Sequence, residues 1–131
     1  MRLLLDTHIA LWAITDSTRL SRAARGLIAA PENALYVSAA TLWEIAIKHA
    51  LKKRGPNAMP ISAAEARGYF LAAGYTLLPV TAQHAVAVEG LPSLHADPFD
   101  RMLIAQARAE PLRLLTHDAE LAVYGEAVVV V

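Results

Sequence analysis

The alternation of two kinds of segment constrains this chain more than any other feature of its sequence. Short apolar runs are separated by segments in which apolar residues recur at helical intervals. The short runs lie at residues 2–5, 35–37, 75–78, 112–116 and 128–131. Strands that are apolar throughout are typical of parallel sheets covered by helices on both faces. The pattern therefore predicts an α/β fold with a central parallel sheet of four to five strands.

Capping residues predict where the intervening helices begin and end. Ser21 and Ser38 each precede a helical stretch, and these stretches run to residues 30 and 51. Ser62 and Glu65 match the capping-box pattern, so a helix is expected from there to residue 73. Gly74 ends that helix. Further helices are predicted over residues 7–14, 81–88, 98–110 and 118–124.

Length and apolar content limit the classes of protein that this chain can belong to. With 131 residues it has room for one domain around one core, so we expect residues 1–131 to form a single domain. The apolar fraction of 56% exceeds the usual ~45–50%, yet no apolar run approaches the ~18 residues that a membrane span needs. Asp6 interrupts the leucine-rich start before a signal-peptide core can form. We expect a cytoplasmic protein without membrane contact.

Cysteine is absent, which excludes disulfides and thiolate metal sites, so that any metal must be bound by oxygen or imidazole. The formal net charge is zero, so any contact with nucleic acid must be local. All three lysines lie in one segment, Lys48, Lys52 and Lys53, beside Arg54. These cations either stabilise the end of a helix or contact phosphates, and both interpretations stay open.

Acidic residues follow the predicted strands and begin the predicted helices. Of the five aspartates, only Asp16 falls outside this pattern, which the other four share: Asp6, Asp97, Asp100 and Asp118. The carboxyl ends of parallel strands meet at one edge of the sheet, where such folds bind ligands. Acids that converge there need a compensating cation.

Each acid also has a purely structural explanation. Asp6 and Asp118 can cap helices, and Glu44 can form an ordinary helical ion pair with Lys48. However, Thr41, Glu44 and Lys48 belong to the one polar stripe on an otherwise apolar helix. We expect that helix to be buried on most sides, with its polar stripe facing a specific partner.

Two acids flank Pro98, and their positions predict different roles. Proline favours the first position of a helix, which makes Asp97 the N-cap and puts Asp100 in the first turn. We therefore assign Asp97 mainly to capping and Asp100 mainly to metal binding. The helix N-terminus is also expected to favour the ionised form of Asp100.

Carboxylate oxygens without cysteine favour Mg²⁺, with Mn²⁺ as a possible substitute, and such ions commonly bind substrate phosphates. The predicted chemistry is phosphodiester hydrolysis with one or two metal ions. The five histidines show no metal-binding spacing, so none is assigned a catalytic role. His8, His95 and His117 lie beside the acids, which leaves open a role in substrate contact or in supporting the ligands.

Four segments together resemble PIN-domain proteins of the VapC toxin group. They are LLDTH at residues 4–8 with Leu11 and Trp12, SAATLWEIAIK at 38–48, HADPFDR at 95–101 with IAQA at 104–107, and LTHD at 115–118. The resemblance covers nearly the whole chain, and the segments occur in the family's order.

This resemblance implies a three-layer α/β/α fold, an acidic Mg²⁺ site, endonucleolytic RNA cleavage and a homodimer. It also implies inhibition by a small VapB-type antitoxin. The family's metal-binding acids fall on Asp6, Glu44, Asp100 and Asp118. Asp97 is an additional acid of the same segment as Asp100, and Thr116 matches a small hydroxyl residue near the site that holds a water or a ligand carboxylate.

Two other functions were weighed against this one. Receiver-like phosphoryl-transfer domains need paired acids after the first strand and a late lysine, whereas Asp6 is followed by Thr7 and no lysine follows Lys53. A catalytically silent PIN-like module that binds protein or RNA is the second alternative. Retention of all four acids argues against it, because clustered like charges destabilise a fold unless a cation or partner neutralises them.

Overall fold

The computed structural model of this chain describes residues 1–51, 55 and 58–131. Strands occupy β1 (Arg2–Leu5), β2 (Ala34–Ser38), β3 (Thr76–Leu78), β4 (Arg113–Thr116) and β5 (Val128–Val130). Helices occupy α1 (Thr7–Ile14), α2 (Arg22–Ala29), α3 (Ala39–Ala50), α4 (Ala63–Ala72), α5 (Ala82–Glu89) and α6 (Pro98–Ala109), followed by a 3-10 helix (Ala119–Ala127).

The five strands form one parallel sheet in the order β3-β2-β1-β4-β5. β1 is therefore central, with β2 on one side and β4 on the other. In the β1–β4 register, Leu5 lies beside Leu115. This register brings the residues that follow both strands to the same edge of the sheet.

Apolar side chains on the two faces of the sheet build two cores. Leu3 and Leu5 point to one face and pack with Phe70 of α4, whereas Leu4 points to the other and packs with Ile104 of α6. All five side chains are fully buried. The arrangement confirms the predicted three-layer fold, because the leucines of the central strand are covered whichever way they point.

The predicted elements are confirmed with small shifts at their ends. Ser62 and Glu65 form the expected capping box, and Gly74 follows α4 with a φ of +83°, a conformation that glycine adopts without strain. The last helix is 3-10 in character. Across the described ranges, no helix combines the length and hydropathy that crossing a bilayer requires.

The expectation for α3 is wrong about which residues are buried. Trp43 and Leu51 are 64% and 58% exposed, whereas Thr41 and Glu44 are buried. The polar stripe faces inward because the hydroxyl group of Thr7 on α1 binds the Glu44 carboxylate there. Part of the apolar side of the helix consequently forms exposed surface, although Ile45 is fully buried.

Candidate active site

The central strands bring the first and last predicted acids together. Asp6 follows β1, and its backbone N–H donates to the Leu115 carbonyl at 3.0 Å, which continues the ladder between β1 and β4. Thr116 ends β4, and Asp118 follows two residues later. Asp6 and Asp118 thus lie at the same edge of the sheet, as predicted.

Thr116 connects these two acids through one hydroxyl group. Its Oγ1 donates to Asp6 Oδ2 and accepts from the Asp118 backbone N–H at 3.0 Å. The other Asp6 oxygen, Oδ1, accepts from the Ile9 N–H at 2.8 Å and caps α1. The capping explanation for Asp6 is therefore correct, and it leaves the carboxylate held in a fixed orientation at the edge of the sheet.

Burial determines the protonation behaviour of Asp6. The residue is 4% exposed, and this burial raises the pKa of its carboxyl group above the ordinary value of 3.8. The hydrogen bonds from Thr116 and Ile9 and the positive charges on His8 and His117 oppose the increase. Ionised Asp6 is consequently destabilised in the protein without a bound cation.

Glu44 is buried on α3, and two neighbouring side chains contact its carboxylate. Thr7 donates to Glu44 Oε1 at 2.6 Å, and Lys48 Nζ lies 2.5 Å from Oε2. The Thr7 and Thr41 hydroxyl oxygens are 3.2 Å apart. Because the Thr7 proton is given to Glu44, Thr41 is the donor in that pair. The predicted Glu44–Lys48 ion pair is present, and Glu44 has a defined orientation.

The start of α6 confirms the capping role that was predicted for Asp97. Asp97 Oδ1 accepts from the Phe99 and Asp100 backbone N–H groups at 2.8 and 3.0 Å, so Asp97 is the N-cap, with Pro98 in the first turn. The Asp100 side chain makes no capping bond and instead contacts His95, with Oδ2 2.9 Å from Nε2.

The pKa of Asp100 differs from the expectation. Burial, followed by the negative charge of Asp97, raises the pKa of Asp100 to about 6. The helix N-terminus was expected to favour ionisation, but desolvation and the neighbouring acid outweigh it. A bound cation would reverse this balance by favouring the charged form.

Asp100, Asp118 and His95 form the group that is best arranged to hold a metal ion. One potential ligand atom from each residue lies within 4.8 Å of the other two. This donor set suits a divalent cation, since carboxylates bind hard ions and imidazole binds transition metals. The site is only partly exposed, with 26% of the Asp100 side chain accessible.

The four predicted acids do not all meet at one point in this structure. Among the residues described, the group with metal-binding spacing includes Asp100 and Asp118 but neither Asp6 nor Glu44. Asp6 is linked to Asp118 through Thr116, and its charge acts on Asp100. Glu44 is neutralised by Lys48. Internal hydrogen bonds and an ion pair satisfy these two acids here.

Sequence reasoning assigned too little weight to His95 and missed Thr7. The signal for His95 was its place two residues before the N-cap of α6, where the chain folds back over the helix start. The signal for Thr7 was its position directly after Asp6. Lys52, Lys53 and Arg54, the other predicted RNA contacts, lie outside the described residues.

Comparison with protein families gives a match over almost the entire chain. The family model described as the PIN domain matches residues 3–127. The chain is a PIN-domain protein. The family assignment confirms the resemblance seen in the four motif segments, and those segments supply Asp6, Glu44, Asp100 and Asp118.

Solved structures with the same fold include two toxin–antitoxin complexes. This PIN-domain protein is similar to VapBC2 from Rickettsia felis bound to a DNA fragment from their promoter, with a TM-score of 0.71 and 17% identity over 100% of this chain and 98% of that one. The chain is also similar to a toxin–antitoxin complex from Klebsiella pneumoniae, with a TM-score of 0.65 and 18% identity over 97% of this chain and 95% of that one.

A domain of a functionally unknown protein from Methanocaldococcus jannaschii gives a TM-score of 0.59 and 13% identity over 99% and 90% of the two chains. The search of curated proteins yields no match. At these identities the likeness to solved structures establishes the fold of the PIN-domain protein.

Proposed function

We propose that this PIN-domain protein is a metal-dependent endoribonuclease of the VapC type. The observation that supports this most directly is the convergence of Asp100, Asp118 and His95 at one edge of the sheet. The raised pKa values of Asp6 and Asp100 add to it, because burial of these carboxyl groups, and at Asp100 the charge of Asp97 as well, disfavours the ionised forms that a bound cation would stabilise.

The carboxylates of Asp6, Asp100 and Asp118 would hold Mg²⁺, with Mn²⁺ as a substitute, and Glu44 completes the set proposed for catalysis. When bound, the cation orients the scissile phosphate and lowers the pKa of the attacking water. Thr116 fixes the position of Asp6 relative to Asp118, and Thr7 keeps Glu44 turned inward. Lys48 neutralises Glu44.

We further propose that a small VapB-type antitoxin restrains this activity and that the protein forms a homodimer. Two neighbours of the fold are toxin–antitoxin complexes, which supports a protein partner. The exposed side chains of Trp43 and Leu51 support it independently, because large apolar groups on a surface commonly mark protein contacts. Light scattering of the purified protein tests the dimer, which a monomeric mass at all concentrations would contradict.

The decisive experiment is cleavage of structured RNA by the purified protein, free of any antitoxin. We expect cleavage with Mg²⁺ and none with EDTA. Asp6→Asn and Asp100→Asn should each lower the rate by at least about 100-fold, since losing a ligand costs more than the 10–100-fold typical of groups that support ligands.

Asp16→Asn is the matched control for these variants. Asp16 is an exposed aspartate whose φ is +50°, a conformation that asparagine tolerates, and it contacts Arg25 rather than the acidic edge. Its substitution removes the same charge and should leave the rate unchanged. A folded wild-type protein that binds RNA but does not cleave it with any divalent ion would favour the silent binding module instead.

A further inference from the structure

Three ring side chains and one arginine form a cluster that the proposed chemistry does not use. The His8 ring centroid lies 5.6 Å from that of Trp12 and 5.4 Å from that of His117, and Trp12 lies 4.7 Å from His117. The Arg19 guanidinium stands 4.9 Å from the centre of the Trp12 ring. We refer to His8, Trp12, His117 and Arg19 as the aromatic wall.

The aromatic wall adjoins the acidic site directly. His8 follows Asp6 by two residues, His117 precedes Asp118, and both imidazoles act on the charge of Asp6. A cavity of about 820 Å³ opens beside the wall, bordered by His8, Trp12 and Arg19. Thr7 and Lys48, the partners of Glu44, also border it. A ligand in this cavity therefore lies next to the two residues that hold Glu44.

The ring side chains of the aromatic wall differ in how far they are buried, and this predicts different roles for them. Trp12 is 8% exposed and belongs to the core, where it supports the other rings. His8 and His117 are exposed. Both residues are consequently accessible to a ligand that enters from solvent.

The charge of the cavity favours an anionic ligand. Its border includes Arg19 and Lys48, and no carboxylate occurs among the described residues that line it. Arg19 forms no ion pair with a carboxylate within the described ranges, whereas Lys48 is already paired with Glu44. Of the two described cations that border the cavity, Arg19 is thus the one without a carboxylate partner, and it can contact a phosphate.

We propose that the aromatic wall binds an unpaired nucleobase of the RNA strand next to the cleaved phosphate, with Arg19 contacting the phosphate that follows. This inference rests on the proposed ribonuclease function and extends it by naming a base-binding subsite. Aromatic and imidazole rings stack on the bases of single-stranded RNA, and an arginine beside them contacts the backbone.

The test compares two fluorescent oligomers with the same number of phosphates, a single-stranded RNA and its abasic counterpart. Binding is measured in EDTA and in an Asp100→Asn background, in which we expect no cleavage on the timescale of the measurement. We expect this protein to prefer the base-bearing oligomer by about tenfold, as for one stacked base. His117→Ser and His8→Ser should each reduce that preference, and together they should abolish it, whereas His117→Phe should retain it.

Arg19 should behave differently from the histidines. Arg19→Gln is expected to weaken binding of both oligomers by the same factor and to lower the slope of log affinity against log salt by about one. Arg22→Gln, an exposed arginine at the start of α2, and His49→Ser, an exposed histidine late in α3, are the matched controls. Neither should change the base preference or the slope.

Persistence of the base preference in the folded His8→Ser, His117→Ser double variant would overturn the proposal. Equal weakening of both oligomers in that variant would also overturn it, because it would show charge or shape effects alone. If the wild type cleaves RNA and such a result is obtained, the proposed ribonuclease function stands and only the proposed base-binding subsite is contradicted. Absence of RNA cleavage by the wild-type protein with Mg²⁺ would instead contradict the proposed ribonuclease function.

Discussion

Thr116 shows how a single residue can organise several acids. Its hydroxyl group has one proton to donate and lone pairs to accept with, and it uses both in donating to Asp6 and accepting from the Asp118 backbone. Since Thr116 is fully buried, water does not compete for these bonds. The relative position of two acids therefore depends on one oxygen atom.

Replacing Thr116 with valine, which has nearly the same shape, should remove this link. We expect RNA cleavage to fall about 10–100-fold, and the free energy of unfolding to drop by about 1–3 kcal/mol because buried polar groups of Asp6 and Asp118 lose their partner. Thr116→Ser should retain both properties. Initial cleavage rates and urea denaturation measure the two effects, and a fully active valine variant would contradict the role of the hydroxyl group.

His95 offers the one nitrogen in the group with metal-binding spacing. Imidazole suits Mn²⁺ and other transition ions better than it suits Mg²⁺. His95→Ala should therefore weaken Mn²⁺ binding about tenfold or more, and Mg²⁺ binding less. Calorimetric titration of the RNA-free protein with each ion provides the measurement. Equal losses for both ions would mean that His95 acts only by holding Asp100.

Among the elements, α6 positions Asp100, a carboxyl group whose pKa is raised. The N-cap bonds of Asp97 fix the first turn, and Asp100 sits in that turn facing His95. Capping and charge act in opposite directions here. Asp97 stabilises the helix, but its negative charge raises the pKa of Asp100.

Asp97→Asn separates these two effects. Asparagine caps well, so the helix should persist while the pKa of Asp100 falls below about 6 as the adjacent negative charge disappears. Carbon-13 NMR titration of the Asp100 carboxyl group follows this change. The rate of RNA cleavage should fall much less than in Asp100→Asn. An inactive Asp97→Asn protein beside an active Asp100→Asn protein would reverse the roles that we assign.

At the scale of the whole molecule, the acidic edge reduces stability at neutral pH. Asp100 has a pKa of about 6 in the fold, against 3.8 in the unfolded chain. Between these values the folded protein keeps a proton that the unfolded chain has released, so its stability falls as the pH rises through this window. The deficit persists at neutral pH unless a cation binds.

The metal-free wild type should therefore lose stability relative to Asp100→Asn between pH 5 and 7.5, by on the order of 1 kcal/mol after allowance for solvent screening at this partly exposed carboxyl group. Comparison with this variant cancels the titration of groups shared by both proteins. Thermal unfolding at several pH values in EDTA provides the measurement. Mg²⁺ should restore the wild type at pH 7.5, and a gap that is constant with pH would refute the explanation.

The strands, the helices and the edge where the acids lie could all be predicted from the sequence. Apolar runs such as residues 2–5 and caps such as Ser62 and Asp97 act locally, so their effects are visible in a short window of residues. The position of Asp6 after β1 and of Asp118 after β4 follows from the same local patterns.

What the sequence could not reveal depends on contacts between distant segments. α3 has apolar residues on most sides, so periodicity alone did not show that Glu44 would face inward and Trp43 outward. The bond between His95 and Asp100 depends on the backbone path through an irregular segment. The raised pKa of Asp100 depends on how deeply the folded chain buries it.

The central position of β1, between β2 and β4, has a consequence for biosynthesis. Asp6 leaves the ribosome before its partner Thr116, which is made 110 residues later. Chain elongation at about 5–20 residues per second separates these events by several seconds. During that interval the nascent polypeptide lacks half of its acidic edge. The acidic edge proposed for catalysis can therefore form only after Thr116 and Asp118 have left the ribosome.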